Sequence, residues 1–219
     1  IKFNDNTITE KHAEKLKIAF KLSLRELGRD KVHALLFHQA ADILKPGGYH
    51  LIDAVNELKS ENLINKFGVS VYYSDAIEKI TQVLAPDIVQ LPFSLFDQRF
   101  LRDGTIAELS SRDVEIHARS LFLQGLPFLE PNKLPTYFKP WQEFFKNFSH
   151  DCCSQNITAD AVCTSFINSI NEIDGYVVGI NSKEEIDRFF VNLRQPFISH
   201  FLKYECHDDD LLDPSQWRI

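Results

Sequence analysis

Five short strand-like runs, each followed by a stretch of helical length, recur along a chain of 219 residues. The first is Val32-His33-Ala34-Leu35-Leu36-Phe37, which closes on His38. Continuous apolar runs of this length, rather than alternating ones, read as strands of a parallel sheet covered on both faces. The others are residues 67–71, 87–91, 114–120 and 175–179. Helices are expected over 11–27, about 50–63, 74–84, 104–112, 158–171 and 182–193, from apolar residues at helical spacing. Gly28 should stop the first of them, Ser74-Asp75 should cap the third and Ser182 the last. Connections of helical length make neighbouring strands parallel. The segment 126–157, rich in Pro and aromatic residues, reads as a long loop with one extra helix, and 194–219 as an ordered extension anchored by Phe197, Phe201 and Trp217.

Composition narrows the classes. Hydrophobic residues make up 44% and charged ones 25%, which suits a packed globular protein rather than a disordered one. A net charge of -7 argues against a nucleic-acid or anionic-membrane surface. It leaves local anion binding open, since helix N-termini bind anions through backbone amides. No apolar stretch approaches the ~20 residues that cross a bilayer, and no secretory leader is visible, so a cytoplasmic protein is expected. Cys152, Cys153, Cys163 and Cys206 have neither metal-ligand nor disulfide-framework spacing and read as free thiols. The chain has no methionine and opens on Ile1-Lys2-Phe3 in mid-pattern, which suggests part of a longer protein.

Five βα units fit an open doubly wound sheet, or the second part of an eight-stranded barrel. The absence of G-x-G-x-x-G and G-x-x-x-x-G-K-[ST] loops lowers the dinucleotide-fold and P-loop readings. Polar residues gather at the carboxyl ends of the runs: His38, Ser70, Gln90, Arg119 with Ser120, and Gly179 with Asn181 and Ser182. Barrel active sites are built from such strand ends.

Read in order, the segments 27–32 leading into LLFH (35–38), KFGVS (66–70), DIVQ (87–90), ARSLFLQG (118–125) and VVG (177–179) resemble the aldo-keto reductases, with the flavour of the bacterial sugar-type members. The resemblance runs over about 14–193. It implies an α/β fold, a (β/α)8 TIM barrel of which the last five βα units (strands 4–8) are present, as a single domain over 1–219 that is incomplete at its N-terminus. It also implies reduction of a small aldehyde, ketone or sugar-like carbonyl with NADPH or NADH and no metal. In such enzymes a hydride passes from the nicotinamide while a Tyr, helped by Lys, Asp and His, delivers a proton. The His falls on His38; the Asp and Tyr would lie upstream of Ile1, and Lys2 is the position nearest the Lys.

For the cofactor, the resemblance assigns Ser70 and Gln90 to the nicotinamide carboxamide, with Val71 where the family often has Asn. Arg119 stands where an aromatic ring usually stacks on the nicotinamide, Ser120 and Leu121 fall in the loop around the pyrophosphate, and Gly179, Asn181 and Ser182 open the last helix. The basic residue for the 2′-phosphate of NADPH is poorly matched by Ser182-Lys183-Glu184-Glu185.

Blander readings accompany these. His33 is expected to face a helix structurally, Asp97 and Arg99 to pair, and Phe138, Trp141, Phe144, Phe145 and Phe148 to form core. Asp208-Asp209-Asp210 reads as a solvated turn. Alternatives to the reductase are a catalytically inactive relative acting as a binding or regulatory module, and another barrel enzyme, a lyase or isomerase, with phosphate near residue 179. The chain alone is expected to be inactive and to expose apolar strand edges, so that it aggregates or requires a partner.

Overall fold

The computed structural model describes residues 3–218 and divides into two compact units, 1–91 with 111–115, and 92–110 with 116–219. In the first unit, α1 (Glu10–Leu27) turns Ala13, Leu16, Phe20 and Leu24 inward and ends at Gly28, whose φ of 61° is the left-handed conformation a glycine stop provides. Helix α1 lies beside α2 (Tyr49–Ser60), tied by Lys17–Glu57 at 2.7 Å and Lys21–Glu61 at 3.1 Å. Strands β1 (Val32–Phe37), β2 (Ile64–Ser70) and β3 (Ile88–Pro92) are parallel neighbours in that order, with α3 (Ser74–Thr81) between β2 and β3 in sequence.

Four details depart from the sequence reading. Most of β1 is half-buried, because among the described residues it pairs on one side only, with β2. Strand β2 begins at Ile64, three residues earlier than expected. Tyr73, not Ser74, occupies the N-cap position of α3. His33 is exposed and, instead of packing on a helix, bonds through Nε2 to Glu115 Oε2 at 2.9 Å. Glu115 also accepts from Lys66 Nζ at 2.6 Å.

The register of β2 against β3 depends on one glycine. Gly68 lies opposite Ile88, and a Cβ there would collide with the Ile88 backbone carbonyl. Only a residue without a side chain allows that approach.

The second unit contains α4 (Arg99–Arg102), α5 (Thr105–Ser111), β4 (Glu115–Arg119), α6 (Gln142–Ser154), α7 (Ala159–Asn168), β5 (Gly175–Tyr176), α8 (Lys183–Asn192) and α9 (Asp209–Leu212), with Ser111 of α5 and Glu115 of β4 belonging to the first. Its core is aromatic: Phe93, Phe96, Phe100, Phe138, Phe148, Phe166 and Phe201 are all at most 1% exposed. Phe148 meets Phe96, Phe201 and Tyr204 edge-on with centroids 5.1–5.9 Å apart, a favoured arrangement. The segment after residue 194 is thus sewn into the core by Phe201 and Tyr204, while Phe197 packs on Phe166 and Trp217 on Phe138. Strand β5 is parallel to β4 but only two residues long, shorter than the 175–179 expected. All four cysteines are free thiols; burial pushes Cys152 up to about 12 and raises Cys163 well above its usual value. No helix among the described residues is long and apolar enough to cross a membrane.

Candidate functional site

In the first unit the strand-end residues behave differently from one another. His38 follows β1 directly, is exposed, and forms no hydrogen bond among the described residues. Ser70, last in β2, is buried, and its hydroxyl donates to Gln90 Oε1 of β3 at 3.2 Å. The parallel register that places Ser70 beside Gln90 continues one step further, where the Val71 N–H donates to the Gln90 carbonyl at 2.9 Å.

In the second unit the expected residues converge. Arg119, Ser120, Leu121, Gly179 and Asn181 line a single cavity of about 800 Å³. Beyond the sequence reading, Phe122 and Phe189, Asp160 and Thr164 from α7, and Glu185, Arg188 and Asn192 from α8 line it too. Ser182 stands just outside it as the N-cap of α8, its Oγ accepting the Glu185 N–H at 3.2 Å.

One wall is a tight loop after β4. Ser120, Leu123 and Gln124 all have positive φ, at 60°, 43° and 55°, followed by Gly125 at 86°. Left-handed backbone costs about 1 kcal/mol or more at each non-glycine residue. Burial of Leu121 and Leu123, at 2% and 1% exposure, offsets that cost by fixing the loop in the core. Within it the Leu123 N–H donates to the Ser120 carbonyl at 2.9 Å and the Gly125 N–H to the Phe122 carbonyl at 2.7 Å. Arg119, at the loop's start, donates from Nη1 to Ser120 Oγ at 3.3 Å, while its carbonyl accepts the Phe93 N–H at 3.0 Å.

The start of α8 also lines the cavity, and it carries negative charge. The Asn181 N–H donates to Glu185 Oε2 at 2.7 Å. The Glu184 carboxyl is held below its usual range by its own backbone N–H and the Ser182 hydroxyl. Lys183 pairs with Asp187, and its side chain is 79% exposed. On α7, Asp160 accepts from Asn192 Nδ2 at 3.0 Å and lies 3.9 Å from Arg188 Nε. One helical turn on, Thr164 is 1% exposed and its Oγ1 has no hydrogen-bond partner among the described residues. A buried hydroxyl is normally satisfied, and this one is an exception within the second unit.

Helical spacing could have disclosed the missed residues, since Glu185, Arg188, Phe189 and Asn192 follow an i, i+3, i+4, i+7 pattern and Asp160 and Thr164 an i, i+4 pattern. Lys2 lies outside the described residues.

Parallel strands alternating with helices, with polar residues at the strand ends, define an α/β protein. The sequence profile described as the aldo/keto reductase family matches residues 2–198, and the chain belongs to that family. Its structure is similar to the aldo-keto reductase AKR11C1 from Bacillus halodurans in its holo form, at 17% identity and a TM-score of 0.64 over 91% of this chain and 67% of that one. It is also similar to the glycerol dehydrogenase AKR11B4 from Gluconobacter oxydans, at 14% identity and 0.65 over 99% and 68%. A thermostable aldo-keto reductase, Tm1743, solved with the inhibitor epalrestat, gives 15% identity and 0.65 over 87% and 65%. The chain therefore spans about two thirds of the length of these solved structures, and its five strands are part of the aldo-keto reductase (β/α)8 barrel fold. No curated protein matches the sequence significantly.

Proposed function

We propose that this chain is the greater part of an NAD(P)H-dependent oxidoreductase that reduces the carbonyl of a small aldehyde, ketone or sugar-like substrate in the cytoplasm. The observation that carries the reading is the cavity in which Arg119, Ser120, Leu121, Gly179 and Asn181 meet the unsatisfied hydroxyl of Thr164. In this reading Arg119, Ser120 and Leu121 hold the diphosphate, and Gly179 lets the backbone pass close to it. Ser182 keeps the start of α8 in place, and Ser70 with Gln90 orients the carboxamide. A bound reduced nicotinamide supplies hydride. His38, exposed at its strand end, orients the carbonyl and assists delivery of the proton.

Titration of the protein with NADH and NADPH, followed by protein fluorescence, tests the reading. Saturable binding of at least one is expected, and binding of neither would sink it. A second reading, a non-catalytic relative that binds a nucleotide without turnover, is supported by Val71, Arg119 and Glu184-Glu185 in place of the family's usual residues, and by His38 forming no hydrogen bond among the described residues. Turnover of small aldehydes at saturating nucleotide separates the two.

A further inference from the structure

The loop 39–48, which starts directly after His38, is clasped to the segment 3–9 of the same unit. Lys45 Nζ donates to the Phe3 carbonyl at 2.8 Å, and the Ile8 N–H donates to the Pro46 carbonyl at 2.8 Å. Gly47, with a φ of 79°, comes so close that a Cβ there would lie 2.1 Å from the Ile8 carbonyl oxygen. Phe3 and Ile8 are 5% and 1% exposed, so the loop is fastened to packed core rather than to a loose end.

Lys45 is aimed by Asp42, whose carboxylate accepts from Nζ at 2.6 Å. Asp42 is 4% exposed and stands in a short 3-10 helix, Ala40–Leu44, that also buries Ala40 and Ile43. Taking a carboxylate out of water is costly unless it is paired, and the pairing roughly repays that cost without adding much stability. The best-attested use of such a pair is to select one arrangement of the chain. Here the arrangement is that of the backbone leaving His38. The imidazole has no hydrogen bond of its own among the described residues, so the chain on its two sides sets where it points. On one side Phe37 is paired with Val69 in the sheet and 8% exposed. On the other, the Asp42 N–H donates to the Gln39 carbonyl at 3.0 Å and the Gly48 N–H to the Lys45 carbonyl at 2.8 Å, which makes one tight unit of the turn from Gln39 to the clasp. We propose that Lys45, aimed by Asp42, is a positioning residue for His38, holding the loop whose conformation orients the imidazole toward the reacting carbonyl. This inference rests on the reductase reading above, and goes beyond it in naming a pair that acts on the proton-transfer step without touching substrate.

The test uses the full-length protein as wild type, Lys45→Met, Lys45→Arg and Asp42→Asn, with reduced nicotinamide nucleotide and a small aldehyde. Melting curves verify folding, and nucleotide titration verifies the cofactor site. Lys45→Met should lower kcat about ten- to hundredfold, the usual effect of a displaced catalytic group, while nucleotide affinity stays within about twofold of the wild type. Lys45→Arg, which keeps the charge and can still bridge the Asp42 carboxylate and the Phe3 carbonyl, should recover most of the loss. Asp42→Asn should lower kcat in the same direction by a smaller factor, and carries the test if Lys45→Met does not fold. The His38 ring signals in the NMR spectrum, assigned by their loss in His38→Asn, should be sharp in the wild type and in Lys45→Arg and shifted or broadened in Lys45→Met and Asp42→Asn. Wild-type kcat with unchanged His38 signals in a folded Lys45→Met or Asp42→Asn would overturn the inference while leaving the reductase reading standing. So would a loss of kcat in step with nucleotide affinity and melting temperature that Lys45→Arg does not rescue. Failure of the wild type to turn over any aldehyde would instead remove the reductase reading itself, and this inference with it.

Discussion

The Ser70 hydroxyl donates to the Gln90 side-chain oxygen across 3.2 Å, joining the ends of two adjacent parallel strands. Ser70 is 7% exposed and Gln90 half-buried, so the bond fixes which way the amide faces. A Gln whose oxygen accepts from its neighbour keeps its NH₂ group for donating, as the proposed contact with a carboxamide requires.

Ser70→Ala therefore releases the amide. The expected stability loss is about 1 kcal/mol, that of an ordinary hydrogen bond. Affinity for the reduced nicotinamide cofactor should fall roughly three- to tenfold as the Gln90 amide loses its fixed orientation. Urea denaturation and nucleotide titration, run on the same preparation, check both. Unchanged affinity would show that Gln90 does not contact the nicotinamide.

Thr164 gives the opposite signature. Its Oγ1 is buried without a partner, and an unsatisfied hydroxyl costs about 1–3 kcal/mol. Thr164→Val, nearly the same in shape, should leave the protein as stable or raise its stability by up to about that amount. Nucleotide affinity should fall, because Thr164 lines the cavity proposed to hold the nucleotide. A melt and a titration read the two effects, and a variant that is destabilised with unaltered binding would contradict this account.

Most elements could be read from the sequence because their boundaries carry local chemistry. Gly28 stops α1 through its positive φ, and Ser182 caps α8 through its hydroxyl. Asp97 and Arg99, two residues apart, pair as expected. Where the reading went astray, the deciding partners lie far away in sequence. Val177 and Val178 looked like the continuation of β5, yet Val177 is 46% exposed and both line the cavity. An apolar run has the same appearance whether it covers a core or a ligand site. Leu35 and Leu36 suggested a strand buried on both faces, but their exposure is set by which neighbours β1 has. Thr164 was invisible for a similar reason. A helical Thr usually bonds its own preceding turn, and only the packed structure shows that this one does not.

The Asp97–Arg99 pair is a structural centre of the second unit. Arg99 donates to Asp97 at 2.9 and 3.0 Å and to Asp209 at 3.0 Å, with Asp97 3% exposed. Burial raises the Asp97 carboxyl above its ordinary range, and the hydrogen bonds and charge of Arg99 oppose that rise without cancelling it. Arg99→Met would strand a buried carboxylate, for an expected loss of about 3–5 kcal/mol. The double variant Asp97→Leu with Arg99→Met should recover most of that loss, since replacing both members of a buried pair is often nearly neutral. Denaturation of the two single variants and the double one provides the cycle. A double variant no more stable than Arg99→Met alone would contradict it.

Asp151 makes a pH-dependent anchor for the C-terminal segment. Its carboxylate accepts from Lys203 at 2.6 Å, Tyr204 at 2.8 Å and His200 at 3.1 Å. These contacts, Lys203 foremost, hold its carboxyl well below the usual carboxylate range. A carboxyl whose folded-state value is depressed stabilises the fold fully above its unfolded value, near 3.9, and progressively less as pH falls toward the folded one. On the alkaline side, burial first and then Asp151 raise the Tyr204 hydroxyl above its ordinary value, so Tyr204 remains a donor throughout the neutral range. Asp151→Asn should therefore be less stable than the wild type at pH 7, and the gap should close as pH is lowered through and below about 4. Urea melts of both proteins at pH 7, 4 and 2 measure the gap. Because Tyr204 packs on Phe148 and Phe144, loosening of the anchor should also appear as lost near-ultraviolet circular dichroism from this aromatic cluster. A gap independent of pH would mean that the charge of Asp151 contributes nothing beyond its hydrogen bonds.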